Sequence, residues 1–245
     1  DLGSADLDDV STTGDGAGSG GEIVVTALNG AIVITSANSA GGAGANQAYT
    51  ATAIELGASA AAVDFDASGT AAAGGNITVS ATNIRLDNLN ADGITFTTSG
   101  ATADGDINLS GAVNGLAAGA QDLTLTAGTG TISVDSIGQA IAIGDFEVST
   151  GAGVTNLDGS IAVEGAGNDI DIDRAGIVLH RNVNLSALDG DVSINDLAGG
   201  GNSLTITADV NETDSGAVNV DAISDVSDLT ATAGQALTTS GAIAG

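Results

Sequence analysis

"LTLTAGTGTISVDSIG" (Leu123–Gly138) and "VNLSALDGDVSINDLA" (Val183–Ala198) are identical at only four of sixteen aligned positions: Leu125/Leu185, Ala127/Ala187, Gly130/Gly190 and Ser133/Ser193. Every branched apolar residue of one nevertheless faces a branched apolar residue of the other, Leu188 excepted. The common pattern is apolar-x-apolar, a turn, then apolar-x-apolar-x-x-apolar. Alternation with period two places the apolar side chains on one side of an extended chain and Thr, Ser, Asn and Asp on the other. Glycines between the runs suit turns, and their abundance disfavours helix.

The pattern recurs in Leu204, Ile206, Val218, Val220 and Ile223, and again in Ile77, Val79, Ile84, Leu86 and Leu89, with weaker copies from Ile23, Ile94, Phe146 and Leu229. Copies starting at 123, 146, 183, 204 and 229 lie 26.5 residues apart on average. A repeat of that length, made of strands too short to bury their own apolar side, implies stacked coils. Each position then needs a chemical class and not an identity, which is why the residues drift while the pattern stays. The expected fold is all-β: a parallel β-helix (β-solenoid) over 1–245, with nearly no helix and about nine or ten coils, hence a rod of roughly 45 Å. Residues 1–21 are expected to be irregular, an acidic Gly/Ser-rich first coil or entry segment. An antiparallel sandwich is the structural rival.

Composition narrows the function classes. The chain of 245 residues has 38 Gly, no Pro, Cys, Met or Trp, and one Tyr with three Phe. Three Arg and no Lys stand against 31 acidic residues, giving a net charge of −28. Such a charge opposes binding to nucleic acid or to an anionic membrane surface. No apolar run approaches the roughly 18 residues of a membrane span, so no membrane insertion is expected. Leu, Ile, Val and Phe together number 59, too many and too regularly spaced for a disordered chain. The sequence opens at Asp1 without a leader, as expected of a processed chain or a fragment.

The stretches "DLTLTAGTGTISVDSIG" and "GNSLTITADVNETDSGAVNVDAI" resemble repeat units of large bacterial exoproteins of the filamentous-haemagglutinin-like adhesin type, most clearly over 122–245. The resemblance implies a right-handed parallel β-helix, export, and a place at the bacterial cell surface. It carries over no functional residue. With it comes the expectation of a non-catalytic extracellular rod, fibre or adhesin segment. Its partners would be further copies stacked head to tail, neighbouring repeat domains, or cell-surface glycans.

Candidate chemistry is acidic. In "GNDIDIDRAG" (Gly167–Gly176), Asp169, Asp171 and Asp173 share the outward side of a strand and repel one another unless a cation or Arg174 intervenes. "ADGDI" (Ala103–Ile107) and "LDGDV" (Leu188–Val192) place paired aspartates round a turn glycine. Asp169, Asp171, Asp173, Asp189 and Asp191 are therefore the candidate Ca²⁺ ligands, oxygen donors being what a hard cation takes. No cofactor is required. The spacing fits neither an EF-hand nor the calcium-binding nonapeptide repeat, so a solvated strand face with Asp-Gly turns is the competing reading. His180 is the sole histidine and no nucleophile-elbow sequence is present. A polysaccharide-degrading β-helix would need aromatic or basic side chains to hold sugar, and few exist. Threonine pairs (Thr95/Thr97, Thr124/Thr126, Thr205/Thr207, Thr230/Thr232) raise ice binding, but Glu147/Ser149 and Asn184/Ser186 interrupt the array.

Overall fold

The computed structural model describes residues 5–14, 18–57, 63–87, 93–209 and 216–244. Among them there is no helix; the chain is all-β and winds as a parallel β-solenoid. Three ladders of parallel pairing run along it. The first face stacks Ile23, Gln47, Ile77, Ile107, Ile132, Thr155, Ile177, Leu197, Ile223 and Ile243, each in register with the next. The second runs from Ile32 through Ile54, Ile84, Val113, Ile137, Ile161, Leu185 and Ile206 to Ala231. The third runs from Ala37 through Phe65, Phe96, Leu125, Val148, Ile172, Ile194 and Val220 to Thr239. One long strand, Ile23–Asn38, bends through all three faces.

About eight turns separate Ile23 from Ile223, with a partial coil beyond each, against the nine or ten coils expected. Along the first face the turn length varies from 20 residues (Ile177 to Leu197) to 30 (Gln47 to Ile77). Within 1–21, read from the sequence as irregular, Ala5–Ser11 forms a strand that pairs in parallel with Ile32–Asn38. Leu7 and Val10, partly buried, pack against the coil beneath, in register with Ile34 and Ala37. Leu89 lies outside the described residues.

The repeat template is real, but its copies are out of phase. Leu123 and Leu125 belong to the third face, Ile132 and Val134 to the first, and Ile137 to the second. Val183 and Leu185 belong to the second face, Val192 and Ile194 to the third, and Leu197 to the first. All three faces require the same alternation and the same turns, so sequence spacing cannot tell one face from another.

The interior is a column of Ile, Leu, Val and Ala, almost all fully buried. Wider residues gather early. Tyr49 meets Phe65 edge to face at 6.0 Å, and Phe65 stacks on Phe96 at 4.8 Å. Gln47 replaces an apolar residue in the first ladder and is satisfied locally: its amide donates to the Asp66 carbonyl (2.9 Å) and accepts from the Tyr49 hydroxyl (3.0 Å). Burial of that hydroxyl pushes the Tyr49 pKa up, keeping the ring neutral.

Candidate functional site

The acidic residues cluster where strands begin. At the corner leading into the third face, Asp122 Oδ1 accepts from the Asp145 amide in the next coil (2.8 Å). Asp145 accepts from the Asp169 amide (2.6 Å), Asp169 from the Asp191 amide (2.7 Å), and Asp191 from the Ala217 amide (2.6 Å). Each of these residues directly precedes a buried strand residue: Leu123, Phe146, Ile170, Val192 and Val218. A second ladder of the same kind enters the first face. Asn46 accepts from the Asn76 amide (2.9 Å), Asn76 from the Asp106 amide (2.8 Å), and Asp106 from the Thr131 amide (2.7 Å). Backbone amides that turn out of the sheet at a corner need acceptors, and a short side chain one coil below supplies them.

Of the five candidate ligands, Asp169 and Asp191 thus serve the acidic ladder, and Asp189 sits beside them. These three, with Ala166, Gly167, Gly190 and Gly216, line one shallow cleft. Gly190 is needed here: a methyl on it would sit 2.6 Å from Asp169 Oδ1 and press on the Asn168 carbonyl. Asp171 and Asp173 lie apart from that cleft, on the third face. Asp171 is in register with Glu147 and Ser193, and Asp173 accepts from the Asn195 amide group (2.8 Å). The five are thus spread over a corner and the adjoining face, and Asp169 and Asp171 meet in a second cleft lined also by Asp145 and Glu147. Among the described residues, no group of three or more His, Asp or Glu side chains is placed to hold a metal ion.

Electrostatics bear the mark of this crowding. Partial burial, then the charges of Asp191 and Asp145, push the Asp169 pKa up despite its hydrogen bond from Asp191. Asp145 is raised by burial and by Asp122 and Glu147. Asp171 is raised by burial and by Asp173, Glu147 and Asp169. Asp104 goes the other way. Burial alone would raise it, but hydrogen bonds from Thr129 and Gly100, with the charge of Arg174, bring it below the usual carboxylate range.

Arg174, the residue that could have intervened among these aspartates, is instead fully buried, and the charge it faces is that of Asp104. Arg85 pairs with Glu55 (2.9 Å) and Asp87 (2.8 Å) on the second face. His180 lies exposed between Asp158 and Asn156, its Nδ1 3.8 Å from the Asp158 carboxylate. The threonine pairs do align: Thr95 and Thr97 are in register with Thr124 and Thr126, and Thr205 and Thr207 with Thr230 and Thr232. The two patches occupy different faces, the third and the second, and Glu147 and Asn184 follow directly in register.

Sequence reading missed the ladder partners Asp122, Asp145, Asn46 and Asn76, and singled out Asp106 only as one of a pair round a turn glycine. A legible signal existed: a short polar residue immediately before the first residue of each of these five strands. No protein-family model, no curated protein and no solved structure matches this chain.

Proposed function

We propose that this chain is a non-catalytic rod: an extracellular structural or adhesin segment of a bacterial surface protein, whose acidic residues serve chiefly to hold coil upon coil. The observation that supports this reading best is the ladder from Asp122 to Asp191. Four carboxylates in successive coils each accept a backbone hydrogen bond from the next coil, which is a load-carrying use and not a reactive one. Parallel pairing along the whole rod suits a spacer or fibre.

Self-association belongs to the same proposal. The last described coil leaves Leu237 (55% exposed) and Ile243 (48% exposed) uncovered, so a further parallel coil would bury them. In the self-associating form of this reading a second copy stacked head to tail supplies that coil, an open contact that builds filaments. Ca²⁺ bound in the cleft of Asp169, Asp189 and Asp191, and glycans held at the surface, are further elements of the adhesin form of this reading.

The test is direct. Purified protein is incubated with a panel of acidic and neutral polysaccharides and, in parallel, imaged by electron microscopy over a range of concentrations. Rods that lengthen with concentration, without sugar turnover, support the proposal. Turnover that disappears in Asp169→Asn or Asp171→Asn would replace it with an enzyme.

A further inference from the structure

The corner between the third and first faces changes width along the rod. It takes residues 67–76, then 98–106, then 127–131 in successive early coils, but only 195–196 and 221–222 in later ones. Inside the wide part lie small buried residues, Ser39, Ala67, Thr98 and Ala127, each at 0% exposure. Where the corner narrows, the strand Phe146–Leu157 shifts register twice, around Gly151.

Arg174 stands at that change of width and is 0% exposed. Its Nη2 donates to the Gly130 carbonyl, two coils back. A methyl on Gly151 would lie 2.7 Å from its Nη1, and a methyl on Gly153 would press on Nη2. The guanidinium therefore occupies space that glycine leaves open in the coil between. Nε and Nη1 find no acceptor among the described residues. The charge that opposes it is that of Asp104, in the wide corner of an earlier coil. Asp104 is itself fixed by the Thr129 and Gly100 amides, each at 2.6 Å.

We propose that Arg174 is the plug of this corner. It fills the end of the glycine-lined lobe, supplies a donor to the Gly130 carbonyl two coils back, and lets a wide-cornered stretch of solenoid continue as a narrow-cornered one. A hydrocarbon stem with a planar five-donor head suits both tasks, and an apolar residue of equal length meets only the first. A buried guanidinium without its counter-charge is strongly unfavourable, so Asp104 is part of the device. The corner is thereby a unit that opens separately from the coils after it.

Native-state hydrogen exchange tests this in Arg174→Met, which keeps length and removes donors and charge. Exchange at the Gly130 and Gly153 amides is expected to accelerate about tenfold or more, while Thr205 and Thr207 change less than about twofold. Unchanged exchange at Gly130 and Gly153, or equal acceleration at all four, would overturn the proposal. Asp104→Asn, which keeps one acceptor oxygen and gives up the other, carries the same reading at Gly153 should the methionine variant fail to fold, with exchange at Gly100 and Thr129 read beside it to separate the lost oxygen from the lost charge. Faster exchange at Gly153 supports the plug, and no local change refutes it.

Discussion

Asp169 shows how one side chain holds the fold and strains it at once. Its oxygen caps the Asp191 amide, while burial and the neighbouring charges raise its pKa. Removing the acceptor and removing the charge should therefore have opposite effects. Asp169→Ala is expected to lower stability by about 1–2 kcal/mol, the worth of a charge-assisted hydrogen bond at a partly exposed site. Asp169→Asn keeps an acceptor oxygen and is expected to match or exceed the parent melting temperature. Urea denaturation of both variants checks the pair. The pH dependence has the same origin. Asp145, Asp169 and Asp171 have folded pKa values above their unfolded ones, so the folded state takes up protons first and stability rises as pH falls from 7 through those raised values. Asp104 has a lowered folded pKa; its contribution is present at neutral pH and is lost as pH falls through that value. Melting temperature against pH should pass through a maximum on the mildly acidic side. In the triple Asn variant of residues 145, 169 and 171 the rise toward it should largely vanish.

Strands are where the sequence was most legible, and also where it misled. Alternation at Leu123, Leu125, Ile132 and Val134 is enough to place all four in the core, as their burial at 0–1% exposure bears out. It does not say which face each belongs to, because three faces ask for the same residues. Corner residues were harder. An Asp before a strand reads as a solvated turn until the next coil is stacked above it, since its partner lies 22–24 residues away in the Asp122–Asp191 ladder. Arg174 was hardest, because a charged side chain is rarely buried and only Gly151 and Gly153 of the preceding coil make room for it within. Substitution within a single strand can test the facing directly. Ile177→Ala removes a fully buried side chain and should cost about 2–5 kcal/mol. Val178→Ala, on the outer side of the same strand, should fall within about 0.5 kcal/mol. Thermal unfolding of the two variants compares them without reference to any other site.

For the molecule as a whole, a net charge of −28 on a slim rod makes the medium part of its stability. Screening length falls from about 30 Å at 0.01 M salt to about 3 Å at 1 M, so melting temperature should climb with NaCl. Any rise with Ca²⁺ beyond that of NaCl at equal ionic strength would mark specific binding, and Asp189→Asn with Asp191→Asn should then abolish the excess. A melting temperature indifferent to both salts would contradict the electrostatic account. The claim on which everything else rests is that coils stack in register from end to end. The chain contains no cysteine, so pairs of spin labels can be attached at introduced cysteines alone. Ala48, Asn156 and Ser224 occupy one outward column of the first face, four rungs and then three further rungs apart. Pulsed electron resonance should place the Ala48→Cys and Asn156→Cys labels about 19 Å apart and the Ala48→Cys and Ser224→Cys labels about 34 Å apart, as rungs of ~4.8 Å require. Distances that do not grow with rung number, or a separation for 48 and 224 no longer than that for 48 and 156, would contradict the solenoid.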